Sequence, residues 1–329
     1  MKLISATILA LSLILAGRLH AAGFYGVTDP AMGEYEGVWV AENGARGRIT
    51  AQVRPLSNNR YDGFILIFRA RSPITSLQIQ PAAYENSRLT FTAASGEQPS
   101  GGELLAKTEA TGKIAKGKLT GTFKGELGAG KFEATRSARR SGTLGAKPPA
   151  GAMVLFDGQA GESWENFEWP VVDGAMQVGK GNVKTKEKLN DFRLHLEFRT
   201  PYMPAATGQA RGNSGVYLQG KYEVQVLDSF GLYPLKDNDC SGIYRVKAPL
   251  LNACLPPMEW QTYDITYRAS GPTVTVSLNG SVVINEAKIP AELVESGTGG
   301  GDPSAGFLLL QDHGNPVQFR NIWVQPFER

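Results

Sequence analysis

Read by period two, the stretch from Arg211 to Asp228 divides into two short strands around a turn at Gly220-Lys221. Ser214, Val216 and Leu218 share one face of the first strand, opposite Tyr217 and Gln219. Tyr222, Val224 and Val226 share one face of the second, opposite Glu223 and Gln225. Residues paired across a hairpin point the same way. A two-residue loop would therefore mix the faces, whereas a three-residue loop containing Gly220 keeps both clean. The predicted hairpin has one apolar face and one polar face that gathers Tyr217, Gln219, Glu223 and Gln225. An antiparallel sheet often keeps one face in water, which is the bland account of such a stripe. Two amides, a carboxylate and a phenol, in place of Lys, Thr and Ser, also make the flat hydrogen-bonding surface that sugar hydroxyls need.

Alternation of this kind runs through the chain. After a loose leader at Gly23–Met32, short segments such as Val38–Val40, Arg48–Val53, Tyr61–Phe68, Leu77–Ile79 and Arg88–Thr92 follow one another. A hairpin of Lys118–Phe123 and Lys131–Thr135 closes the series, which predicts a small β-barrel or β-sandwich domain over 23–136. A linker over 137–152, with Arg139-Arg140 and Pro148-Pro149, is expected to be extended and solvated. The second domain, 153–329, includes Phe192–Phe198, whose strict alternation leaves His195 beside Arg193 and Glu197 as a surface histidine. Trp260–Tyr267, a hairpin about Asn279-Gly280, and the strands Phe307–Gln311 and Val317–Gln325 complete it, with a flexible Gly297–Gly301 tract between. With 39 glycines, 19 prolines and little 3.6-residue periodicity, the fold class is all-β, the second domain being two antiparallel sheets packed as a jelly roll.

Composition narrows the function. A length of 329 residues accommodates two cores, and a net charge of +3 without a dense Lys/Arg stripe argues against nucleic acid. Met1-Lys2 and the apolar run Leu3–Ala16 read as a signal peptide over 1–22, cleaved after Ala21 or Ala22, which predicts a periplasmic or extracellular protein. The run is shorter than the roughly 20 residues of a membrane span, and no later segment qualifies. In an exported chain, Cys240 and Cys254 favour a disulfide, with two buried thiols as the alternative. Nothing in the pattern selects an oligomeric state.

The runs Gly212-Asn-Ser-Gly-Val-Tyr-Leu-Gln-Gly220, Tyr222-Glu-Val-Gln-Val-Leu-Asp-Ser229 and Glu259-Trp-Gln-Thr-Tyr-Asp-Ile265 belong together. With Ala248-Pro249, Asn252-Ala253, Leu310-Gln-Asp-His-Gly-Asn-Pro-Val317 and Phe319-Arg-Asn-Ile-Trp323, they resemble the 3-keto-disaccharide hydrolase domain family over roughly Val154–Phe327. The resemblance implies a concanavalin A-like jelly roll acting on glycosides already oxidised to a ketone at C3. A non-catalytic, lectin-like carbohydrate-binding protein is the competing class, followed by an adhesive structural protein, because the same sandwich serves all three.

A ketone at C3 makes the C2 proton acidic, so a base, an enolate-stabilising group and an acid for the leaving oxygen suffice. The paired acids of jelly-roll glucanases are not reproduced here. Gln225 occupies the middle position, and Asp228 lies five residues from Glu223, on the other face of a regular strand. His313, next to Asp312 in a turn and a candidate to form a dyad with it, is the better base on chemical grounds, and Glu223 is the alternative. A turn histidine bonded to backbone is the plain alternative. Arg320 is a candidate to stabilise the enolate or to pair with an acid. Asn213, Tyr217, Gln219, Gln225, Asp228, Tyr244 and Gln311 are candidate sugar contacts. No cofactor is required by the pattern; Glu223, Asp228 and His313 are the set that a divalent metal ion would use.

Overall fold

The computed structural model describes residues 29–70, 72–95, 107–159, 161–165, 167–290 and 305–327. The expected signal peptide and the Gly297–Gly301 tract lie outside these residues. The chain is all-β, and among the described residues the only helix is a 3-10 turn at Gly208–Ala210.

Eight antiparallel strands, from Gly33–Ala41 to Gly128–Ser137, form a barrel in which the last strand pairs with the first. Alternation explains the closure: Tyr35 and Trp39 of the first strand point into a fully buried interior, while Glu36, Val38 and Val40 face out. Residues 29–32, read as part of a loose leader, are instead packed in place. The Asp29 carboxylate accepts from the Met32 amide at 2.6 Å and from the Tyr202 hydroxyl at 3.0 Å.

Two sheets follow. The five-stranded sheet runs in the order Trp164–Glu165, Val183–Leu189, Gly306–Leu310, Ser214–Leu218 and Tyr222–Val226. The other places Gln318–Pro326, Phe192–Arg199 and Gln261–Arg268 side by side, with Thr273–Leu278 and Ser281–Lys288 beyond. Val216, Val224 and Val226 of the first sheet, and Leu194, Leu196 and Phe198 of the second, are fully buried in the core. Their polar neighbours in sequence therefore stand on the two outer faces.

The segment after the barrel is not a solvated link. Arg139 donates to Glu34 at 3.1 Å and to the Ala253 carbonyl at 3.1 Å, tying the barrel to the second domain. Thr143 donates to Asp264 at 2.7 Å, the Gly145 amide donates to Glu197 at 2.6 Å, and the Ala146 carbonyl accepts from Asn321 at 3.0 Å. This segment covers the outer face of the second sheet, so His195, expected at the surface, is fully buried. Its Nδ1 lies 2.7 Å from Asp264, and its ring stacks on Trp323 with centroids 5.0 Å apart.

The expected disulfide is absent: Cys240 and Cys254 are buried free thiols. Spacing alone could not show that the core shelters them as hydrogen-bonded thiols. Cys240 Sγ lies 3.2 Å from the Tyr263 hydroxyl. The hydrogen bond to Cys240, reinforced by burial, pushes the Cys254 thiol well up.

Candidate active site

The predicted hairpin forms with the three-residue loop Gln219-Gly220-Lys221, because Leu218 pairs with Tyr222. Tyr217 pairs with Glu223 and Gly215 with Gln225, which puts these side chains on one face. The edge of the second strand is covered: the Gln225 amide donates to the Gly242 carbonyl at 2.9 Å and the Tyr244 amide to the Glu223 carbonyl at 3.1 Å. The face is not a solvated stripe, since Glu223 is 5% and Gln225 2% exposed.

Glu223 is the centre of this face. Its carboxylate accepts a hydrogen bond from the Tyr217 hydroxyl at 3.0 Å, and that hydroxyl accepts one from Gln311 Nε2 at 3.1 Å. The carboxylate folds back over Gly215, where a Cβ would stand 2.3 Å from Glu223 Oε1. Beside it, Gln209 Oε1 accepts from Gln225 at 3.3 Å and from Asn213 at 3.1 Å, while Gln209 Nε2 donates to the Asn238 carbonyl at 2.8 Å. Three fully buried amide oxygens, Asn213 Oδ1, Gln225 Oε1 and Gln311 Oε1, have no partner within the protein. A buried acceptor left unpaired costs about 1–3 kcal/mol, so a ligand rich in hydroxyl donors would be retained here.

His313 stands exposed at the crest of the turn after Gly306–Leu310. The turn is pinned at both ends to the site, through Gln311 to Tyr217 and through Asn315 Oδ1, which accepts from the Asn213 amide at 2.8 Å. The Asp312–His313 dyad does not form. Both Asp312 oxygens accept backbone amides, of Gly181 and of Gly314, each at 2.8 Å.

Three other candidates go elsewhere. Gln219 adopts a left-handed turn conformation, with φ 54°, and does not join the polar face. It is buried, donates to the Leu189 carbonyl at 3.2 Å and accepts from the Tyr267 hydroxyl at 3.0 Å. Asp228 forms a buried ion pair with Arg211 at 2.7 Å, and Arg211 also donates to the Pro55 carbonyl of the barrel at 3.0 Å. Glu223, Asp228 and His313 thus do not assemble as metal ligands; among the described residues no three His, Cys, Asp or Glu side chains do. Arg320 lies on the other sheet, across the core, paired with Glu197 at 2.7 Å and stacked over Trp260 at 4.0 Å. Tyr244 is half-buried beside Glu223 through its backbone. Gln209 is the contact that the sequence pattern did not single out, because it sits in a 3-10 turn with no alternation to read.

A β-sandwich with a buried carboxylate, a phenol and a set of amides on one outer face offers the hydrogen-bonding surface that a carbohydrate-active protein needs. The family model of the 3-keto-alpha-glucoside-1,2-lyase-like domain matches residues 151–325, more than half of the chain, and the protein belongs to that family. The chain is also similar to two solved structures of proposed glycosyl hydrolases from Parabacteroides distasonis. One is 39% identical with a TM-score of 0.48, over 54% of this chain and 85% of that one. The other is 22% identical with a TM-score of 0.42, over 54% of this chain and 94% of that one. No curated protein matches the chain.

Proposed function

We propose that this protein is an exported enzyme that cleaves 3-keto-glycosides, 3-keto-disaccharides among them, on a concanavalin A-like jelly roll. The observation that carries this reading is the lone carboxylate. Glu223 is the one acid on the polar face of the hairpin formed by Ser214–Leu218 and Tyr222–Val226, and Gln225 stands where a second would be needed. A retaining glycosidase requires two carboxyls about 5–5.5 Å apart, whereas proton abstraction from carbon requires one base.

In this mechanism Glu223 removes the C2 proton, and the electron pair forms an enolate with the C3 oxygen. The enolate collapses, the C3 ketone returns, a C1=C2 double bond forms, and the aglycone leaves with the C1–O electron pair. His313, at the rim, supplies the proton to the departing oxygen. Water then adds across C1=C2, giving net hydrolysis. Tyr217 fixes the Glu223 carboxylate through its hydroxyl, and Gln311 fixes Tyr217.

The test is incubation with 3-keto-trehalose and 3-keto-sucrose beside the unoxidised sugars, with products followed by NMR. Turnover of the keto sugars alone is expected. Equal turnover of the unoxidised sugars would return the enzyme to ordinary glycoside hydrolysis, and binding without any turnover would identify a lectin-like protein.

A further inference from the structure

A cavity of about 370 Å³ lies between the barrel and the second domain, within the range of about 300–1,000 Å³ usual for small-ligand pockets. The barrel contributes Arg54, Asp62 and Gln78, and the second domain contributes Gln209, Tyr233 and Lys236. The cavity is built rather than left over from packing. Arg54 binds Asp62 through two hydrogen bonds, at 2.7 and 3.1 Å, and Gln78 donates to the Tyr233 carbonyl at 2.7 Å. Arg54 reaches this position only because residue 231 is glycine. A Cβ there would stand 2.8 Å from Arg54 Cγ, and its φ of +80° disfavours a side chain.

The lining selects a chemical class. Arg54 and Lys236 are balanced by Asp62 and Asp239, so the cavity carries no surplus charge for an ion. Tyr233, whose ring packs against Phe64 at 5.2 Å between centroids, lines the cavity among fixed polar groups. Such a combination suits a neutral, polyhydroxylated ring. The cavity does not include Glu223. Gln209 connects the two, since it lines the cavity and accepts hydrogen bonds from Gln225 and Asn213 on the catalytic face.

We propose that this cavity is a second sugar subsite, which holds the leaving residue of the disaccharide and gives the barrel a part in substrate choice. The assignment of a leaving residue rests on the 3-keto-glycoside reading; the binding of a neutral sugar does not.

The test uses the full chain and two variants, Lys236→Ala at an exposed position and Gln78→Leu, which keeps volume but removes the amide. KM for 3-keto-trehalose should rise about 10-fold, the loss of a hydrogen bond or two, while KM for methyl 3-keto-α-glucoside changes less than about twofold. Equal effects on both substrates, or none on either, would overturn the subsite. In a separate arm, D-glucose binding is followed by saturation-transfer NMR, with circular dichroism to confirm folding. Glucose binding that both variants weaken supports the cavity even if no 3-keto-glycoside is turned over, in which case the catalytic reading alone has failed. Glucose binding absent from the wild type, or indifferent to both variants, removes the cavity from sugar recognition.

Discussion

The Glu223 carboxylate occupies the space that a side chain on Gly215 would take, with Oε1 2.3 Å from where that Cβ would stand. The two residues lie on adjacent strands of one hairpin, where Gly215 faces Gln225, two residues from Glu223. The glycine is therefore a condition for the position of the acid, not a feature of the turn. Gly215→Ala should drive Glu223 off Tyr217 while leaving the strand intact, since the contact is with the end of a flexible side chain. We expect turnover of 3-keto-trehalose to fall at least 10-fold with Tm shifted by only a few degrees. Full activity in this variant would mean that the carboxylate acts from another position or not at all.

Removing the charge from Glu223 separates the two candidate bases. Glu223→Gln keeps shape and hydrogen bonding, and should lower kcat by roughly 10²–10⁴ with KM little changed. His313→Asn should have the smaller effect, because His313 stands exposed at the rim while Glu223 is buried on the polar face. Deuterium at C2 should slow the wild-type reaction. If His313→Asn abolishes activity and Glu223→Gln does not, the roles are reversed.

The hairpin at the centre of this site was legible because a strand has a strict period of two and a three-residue loop containing Gly220 keeps its two faces apart. Tyr217, Glu223 and Gln225 could be placed together on that basis alone. Gln219 could not, since its left-handed conformation ends the alternation one residue before the pattern suggests. Arg320 takes the plainer of its two readings and pairs with an acid, Glu197. His195 was misjudged because the chain that covers its sheet, residues 141–146, is more than forty positions away in sequence and carries no hydrophobic signal. Gln209 was invisible because its role comes from three partners that local spacing does not unite, Asn213, Gln225 and Asn238.

The thiols give a direct check on the core. Cys240 and Cys254 should be inert to an aromatic disulfide reagent in the native protein and should both react after unfolding without reductant. Both are buried free thiols, with Cys240 Sγ 3.2 Å from the Tyr263 hydroxyl, and burial denies the reagent access. Absence of reactive thiol in the unfolded, unreduced protein would show that the pair is oxidised after all.

The clasp between residues 141–146 and the second sheet should make stability depend on pH in both directions. Burial acts to lower the pKa of His195, but its hydrogen bonds to Asp264 and Glu197 outweigh that and raise it above 6.5. Burial acts to raise Glu197, but hydrogen bonds from His195, Asn321, the Gly145 amide and Arg320 bring it down to about 2. A raised histidine contributes stability that is complete below 6.5, its unfolded value, and is lost as pH rises through the folded value. A depressed carboxylate contributes stability that is complete above 4.5 and is lost as pH falls towards 2, on the order of 3 kcal/mol for Glu197. Tm should therefore be highest between about 4.5 and 6.5 and decline on either side. His195→Gln should lower Tm and flatten the alkaline decline, because the ring no longer carries the charge that Asp264 and Glu197 hold. Glu197→Gln should lower Tm more strongly, leaving Arg320 and the Gly145 amide without their anion. An alkaline decline that persists unchanged in His195→Gln would assign the pH dependence to another group.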